Sequence, residues 1–132
     1  NTRRNPKTIL RTPMPDKRFK IENFTQLPSQ SCPCGSAKRA FTSEPEKTAT
    51  IHLVEISQNS RVHYHKRTTE IYYILEGSGQ IELDTELFNV EPGMTVLIKP
   101  GCRHRAIGKL KILNIPVPAF DSNDEFFDSD II

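Results

Sequence analysis

The chain has 132 residues, 26% of them charged, and a formal net charge of +2; this is the size of one domain with a real core, and too small for two. The nearly balanced charge gives no basis for nucleic-acid binding, no apolar run approaches the ~20 residues of a membrane span, and no secretory signal opens the chain. Three cysteines, an odd number, do not make a disulfide framework and point to a reducing cytoplasm, with a pair bridged between two copies as the alternative.

The first twenty residues carry Arg3, Arg4, Lys7, Arg11, Lys17, Arg18 and Lys20 against Asp16 alone, with Pro6, Pro13 and Pro15 among them. They read as an extended, solvated arm, packed if at all on the acidic tail of its own or a partner chain. Ile21, Phe24 and Leu27 fit a helical turn or a short strand, and so few residues cannot decide between them. In Cys32-Pro33-Cys34-Gly35 the C-x-C spacing is not the C-x-x-C of zinc ribbons or thioredoxin-like sites. A bridge between cysteines so close is expected to be strained, so the stretch reads as a structural turn leading to a strand at Lys38–Thr42.

From Thr48 onward the character changes. Thr50–Ile56, Val62–His65, Ile71–Leu75, Gln80–Leu83, Leu87–Val90, Thr95–Ile98, His104–Ile107 and Leu110–Val117 are short β-branched or aromatic runs separated by turn residues. Gly77-Ser78-Gly79 reads as a tight hairpin, and Pro92-Gly93 as another turn. Many short strands without an amphipathic helix between them predict an all-β barrel or sandwich. The tail, with Phe120, Phe126, Phe127, Ile131 and Ile132 among its acids, is too apolar to hang free and is expected across a barrel face or a subunit seam.

The chemistry concentrates in Arg61–Gly77. On an extended segment His63 and His65 share a face while Tyr64 turns away, and Glu70 follows just beyond a short turn. A fourth donor has to come from His52 or His104, and the second strand-and-turn segment, Gly93 to His104, offers a way to bring in His104. His52 alternates with Ile51 and Leu53 and reads as a core or surface histidine instead. Three imidazoles with a carboxylate suit Fe, Ni, Cu or Zn better than Mg or Ca. Arg61 has the parity of His63, and Tyr72 that of Glu70. Both are candidates to face the barrel interior and hold a substrate carboxylate or phosphate. Arg103 and Arg105 have the opposite parity to His104 and are expected toward solvent or another chain, and Cys102 is expected as a small packed residue.

His63-x-His65, Glu70 and Gly77, followed by Gly93, Pro100-Gly101 and His104, resemble the two motifs of the cupin superfamily in order and spacing. Ser57, Lys99 and Gly108 depart from its usual Gly, Pro and Asn without removing a ligand. The resemblance covers roughly Ser57–Gly108. It implies a double-stranded β-helix, or jelly roll, holding one divalent transition metal (Fe, Mn, Ni or Zn) inside the barrel at His63, His65, Glu70 and His104. It also implies a small single-domain cupin that pairs as a homodimer and takes a small-molecule ligand or substrate, with neither nucleic acid nor membrane as partner. The expected organisation is a leading arm over 1–45 packed on the barrel, the barrel over 46–120, and the acidic and aromatic tail over 121–132. The superfamily fixes no reaction. Three functions follow as expectations: a dioxygenase-like oxidoreductase on a small anionic or enolisable substrate, a non-redox isomerase or lyase of sugar-like or oxo-acid substrates, and a binding or sensor module without turnover. Thiol dioxygenases are disfavoured, since their site resembles three histidines without the carboxylate that Glu70 supplies.

Overall fold

The computed structural model describes residues 17–32, 34–57 and 59–128. Among the described residues seven strands run in chain order: β1 (Gln30–Cys32), β2 (Gly35–Ala40), β3 (Ile51–Ile56), β4 (Thr69–Leu83), β5 (Glu86–Val90), β6 (Thr95–Ile98) and β7 (His104–Val117). Two three-residue 3-10 turns, Phe24–Gln26 and Ser122–Asp124, are the only helical turns among the described residues. All pairings are antiparallel. The order is β1-β2-β3-β7-β4-β5, with β6 also on β4. The double-stranded β-helix follows from two long strands that serve both layers. β4 and β7 pair from Thr69↔Val117 to Leu83↔His104; β6 joins the first part of β4 and β5 the second. Between the layers lies a core built on Tyr72, Ile74, Ile81, Ile98, Leu110 and Ile112.

The long strands correct one expectation. Gly77-Ser78-Gly79 does not turn the chain; β4 runs straight through it, and Gly108 lies within β7. These glycines are needed for close approach. Gly77 has φ +94°, and a Cβ there would run into the Lys109 carbonyl; one on Gly79 would meet the Ile107 carbonyl. Register also shifts between Ile74 and Glu76, where a bulge leaves one extra residue on β4.

Val62–His65 is extended but is not a full strand. His63 pairs with His104 on one side and Tyr64 with Phe126 on the other, one residue each. Each residue exchanges two backbone hydrogen bonds with its partner, at 2.9–3.1 Å. The segment is thus clamped between the start of β7 and the tail.

A second correction concerns the C-x-C stretch. Cys32 and Cys34 are joined by a disulfide, their Cα atoms 5.3 Å apart and inside the range a bridge accepts. The β1–β2 reversal, which pairs Cys32 with Gly35, brings them together. Cys102 is a free, half-buried thiol packed against the core.

Residues 1–16 of the basic arm, and residues 129–132 of the tail, lie outside the described residues. At the described end of the arm, Lys20 reaches Ser43 (2.8 Å) and the carboxylates of Glu22 and Glu44. The described tail folds back over the barrel: Phe126 stacks on Tyr64, and Arg103 holds Asp128 with two hydrogen bonds of 3.0 Å. No helix among the described residues is long and apolar enough to cross a membrane.

Candidate metal centre

His63 comes from the clamped segment, His65 from its end, Glu70 from the second residue of β4 and His104 from the first of β7. Their ligating atoms lie within 4.8 Å of one another. His65, Glu70 and His104 are buried, and His63 is half-buried.

The outer nitrogen of every ring is spoken for by main chain. His63 Nδ1 faces the Arg61 carbonyl at 3.0 Å, His65 Nδ1 the Asp124 carbonyl at 2.6 Å, and His104 Nδ1 the Cys102 carbonyl at 2.9 Å. A carbonyl only accepts, so each Nδ1 donates the proton, and a neutral ring then presents a bare Nε2 to the interior. Two of these nitrogens stand 3.0 Å (His65) and 2.9 Å (His104) from Glu70 Oε1. Lone pair faces lone pair there unless a proton or a cation lies between them. Asn114 Nδ2 donates to the other carboxylate oxygen at 2.6 Å, orienting Glu70 as outer partners orient metal ligands. The donor set fits a borderline divalent metal.

Asp124 holds the tail over this centre. Its carboxylate accepts from the backbone N–H groups of Lys66, Arg67 and Thr68 and from the Thr68 hydroxyl, at 3.0–3.1 Å. The site's outer support therefore comes from a residue 59 positions beyond His65.

A cavity of about 110 Å³ opens beside the four donors. Arg61 and Tyr72 both line it; the Arg61 guanidinium lies over Phe127 at 4.0 Å, and the Tyr72 ring is 6.3 Å from that of His104. His52 lines it too but bonds Thr50 at 3.0 Å and stays out of the donor cluster. Arg105 pairs outward with Glu82. Glu125 and Arg39, which the sequence reading did not single out, also line the cavity. Glu125 Oε1 is 3.9 Å from His63 Nε2.

A cupin-domain family model matches residues 51–112. An uncharacterized protein of Methanocaldococcus jannaschii is 40% identical over 76 residues, 54% of this chain; the match spans 61% of that protein's own length. The crystal structure of a protein from Planctomyces limnophilus superposes with a TM-score of 0.78 and 32% identity, over 83% of this chain and 96% of the other. This chain is a cupin. The nucleoside dehydratase Pac13 of Streptomyces shares the cupin fold at a TM-score of 0.73 and 17% identity, over 83% of this cupin and 90% of Pac13.

The charges predict how the metal-free cupin responds to acid. Burial, and after it the Arg39 charge, lowers the His52 pKa to about 4. Burial and the neighbouring His104 do the same to His63, also to about 4. An unfolded histidine titrates near ~6.5, so between that pH and about 4 the unfolded chain takes up protons that these sites refuse, and stability falls. His65 has the opposite sign. Burial alone would lower its pKa, but hydrogen bonding and charge from Glu70 outweigh burial and raise it. Its support is full below ~6.5 and lost as pH rises through the raised value. Burial alone would raise the Glu70 pKa, but hydrogen bonds to His104 and His65 hold it well below the carboxylate range. Its support therefore persists into stronger acid. His52→Gln is expected to make the loss between pH 6.5 and 4 shallower by up to ~3 kcal/mol, read by urea unfolding of metal-free protein. An unchanged pH slope would mean that His52 is not the group responsible.

Proposed function

We propose that this cupin is a metal-dependent enzyme of the isomerase or lyase class. It would hold one divalent metal at His63, His65, Glu70 and His104 and move a proton on a small anionic or enolisable substrate. Glu125 carries this reading. It is a half-buried carboxylate on the same cavity as the donors, and burial raises its pKa. It can therefore take up and return a proton at milder pH than an exposed carboxylate. Burial also pushes the Tyr72 phenol well above its ordinary value, so Tyr72 stays protonated and serves as a hydrogen-bond donor. The metal, when bound, would act as a Lewis acid on a substrate oxygen. A dioxygenase acting on similar substrates is the second reading, favoured by a nitrogen-rich donor set that suits Fe as well as Zn.

The test begins with elemental analysis of protein purified without a metal-affinity column, then deuterium exchange into an enolisable oxo-acid such as pyruvate. Near-stoichiometric metal is expected, with exchange that proceeds anaerobically and is lost in Glu125→Gln while the metal stays. Oxygen uptake after Fe(II) loading would favour the dioxygenase. Metal with neither activity would leave a binding module, and no metal before or after loading would overturn the reading.

A further inference from the structure

One polar row crosses the inner face of the sheet. Arg39 on β2 pairs with His52 on β3, His52 with Asn114 on β7, and Asn114 with Tyr72 on β4. All four line the cavity beside the donor cluster. Two atoms of this row, Arg39 Nε and Asn114 Oδ1, are buried without a hydrogen-bond partner among the described residues. Such groups are costly to bury unpaired and are uncommon. They are also of opposite kind: the guanidinium N–H can only donate, and the amide oxygen can only accept.

The Arg39 head group is held in place around that free edge. Nη1 donates to Gln30 at 2.9 Å, and the guanidinium carbon lies 4.7 Å from the centre of the Phe120 ring. Asn114 is fixed by its hydrogen bond to Glu70. One strand, β3, separates Arg39 from Asn114. Their backbones are therefore about 10 Å apart, a span that the two side chains and a short ligand between them can bridge.

We propose that this row is the substrate-recognition wall of the cupin and that it takes a small hydroxycarboxylate. The carboxylate docks on Arg39 and a hydroxyl donates to Asn114 Oδ1. Arg39 is the specificity-determining residue. A planar carboxylate matches the guanidinium edge, and the small cavity keeps the ligand short. Arg61 on the same cavity wall adds a second positive charge. The assignment rests on the metalloenzyme reading, because the wall would present the ligand to that centre, but it can be tested separately.

The test is calorimetric titration with lactate, with propionate lacking the hydroxyl and 1,2-propanediol lacking the carboxylate, into wild type, Arg39→Met and Arg39→Lys of measured metal content. Wild type is expected to bind lactate at least tenfold tighter than either control. Arg39→Met, which keeps an apolar stem over Phe120, should lose at least tenfold for both acids but not for the diol, with metal content and melting temperature unchanged. Arg39→Lys should recover only part, since it restores charge without the planar fork. Equal lactate affinity in wild type and Arg39→Met would overturn the subsite while leaving the metal centre standing. So would failure of metal-loaded wild type to bind any carboxylate, or a preference for inorganic phosphate over lactate. If the protein takes no metal, the metalloenzyme reading fails, and the same titration on metal-free protein decides the subsite: Arg39-dependent lactate binding sustains it and none overturns it.

Discussion

If the proposed metal centre is right, replacing His104 with alanine is expected to lower metal affinity on the order of 10³-fold or more. His104 is 1% exposed, its Nδ1 is pinned by the Cys102 carbonyl, and its Nε2 lies 2.9 Å from Glu70. The other members of the donor cluster, His63, His65 and Glu70, are already committed to the centre. Losing even an outer hydrogen-bond partner of a ligand typically costs 10–100-fold, and here one of the four proposed ligands is removed. The change also leaves Glu70 buried with one partner fewer, which should destabilise the metal-free fold by roughly 3 kcal/mol. Elemental analysis after dialysis against a chelator reads the first effect and urea unfolding the second. Arg105→Ala is the control, since Arg105 is the next residue and pairs outward with Glu82; it should retain metal like wild type. Full stoichiometric retention by the His104 variant would end the four-ligand centre.

The second large effect is expected from Asp124→Ala, although Asp124 belongs neither to the donor cluster nor to the cavity lining. Asp124 is 2% exposed, and its carboxylate accepts from three consecutive backbone N–H groups and a hydroxyl. Truncation leaves those donors unanswered in a site that water reaches poorly. At ~1–3 kcal/mol for each stranded donor, a loss of about 4 kcal/mol is expected, or roughly 10–15 °C in melting temperature for a domain of this size. The ion pairs that also tie the tail, Arg67–Asp121 and Arg103–Asp128, are largely exposed and count for little beside this network. The tail also carries the carbonyl that holds His65 Nδ1, so metal affinity should fall by 10–100-fold as well. Asp124→Asn keeps an acceptor oxygen and should sit between the two. A variant that melts and binds metal like wild type would show that the tail is held by its aromatic contacts instead.

The contrast between these two residues shows what could be read from the chain. His63 and His65 were visible because alternation in an extended segment puts both on one face, and Glu70 and Tyr72 because they share parity on a strand. Glu125, Asp124 and Arg39 were invisible for a physical reason. Nothing local marks them, and they reach the site only because the tail folds back and because β2 lies next to β3. Gly77-Ser78-Gly79 was misread because glycine serves two ends, a turn or a close crossing of backbones, and only the pairing partner tells which. The cysteine bridge was missed because C-x-C spacing looked too tight, whereas the β1–β2 reversal sets the distance.

The bulge in β4 limits how the length of this strand can change. Along β7 the even-numbered residues face inward from His104 to Pro116. On β4 the partners of these positions are Glu70, Tyr72 and Ile74 before the bulge, and Gly77, Gly79, Ile81 and Leu83 after it. The inward set thus switches from even to odd at Leu75, the one residue without a β7 partner. Deleting Leu75 would keep a plausible strand on paper but force a choice between the two ends. With Ile81 inward, Glu70 would point to solvent; with Glu70 inward, Ile81 would leave the core. A one-residue change of length between Glu70 and Ile81 is therefore costly, because the extra residue at Leu75 keeps the chemistry and the packing on the same side of the wall.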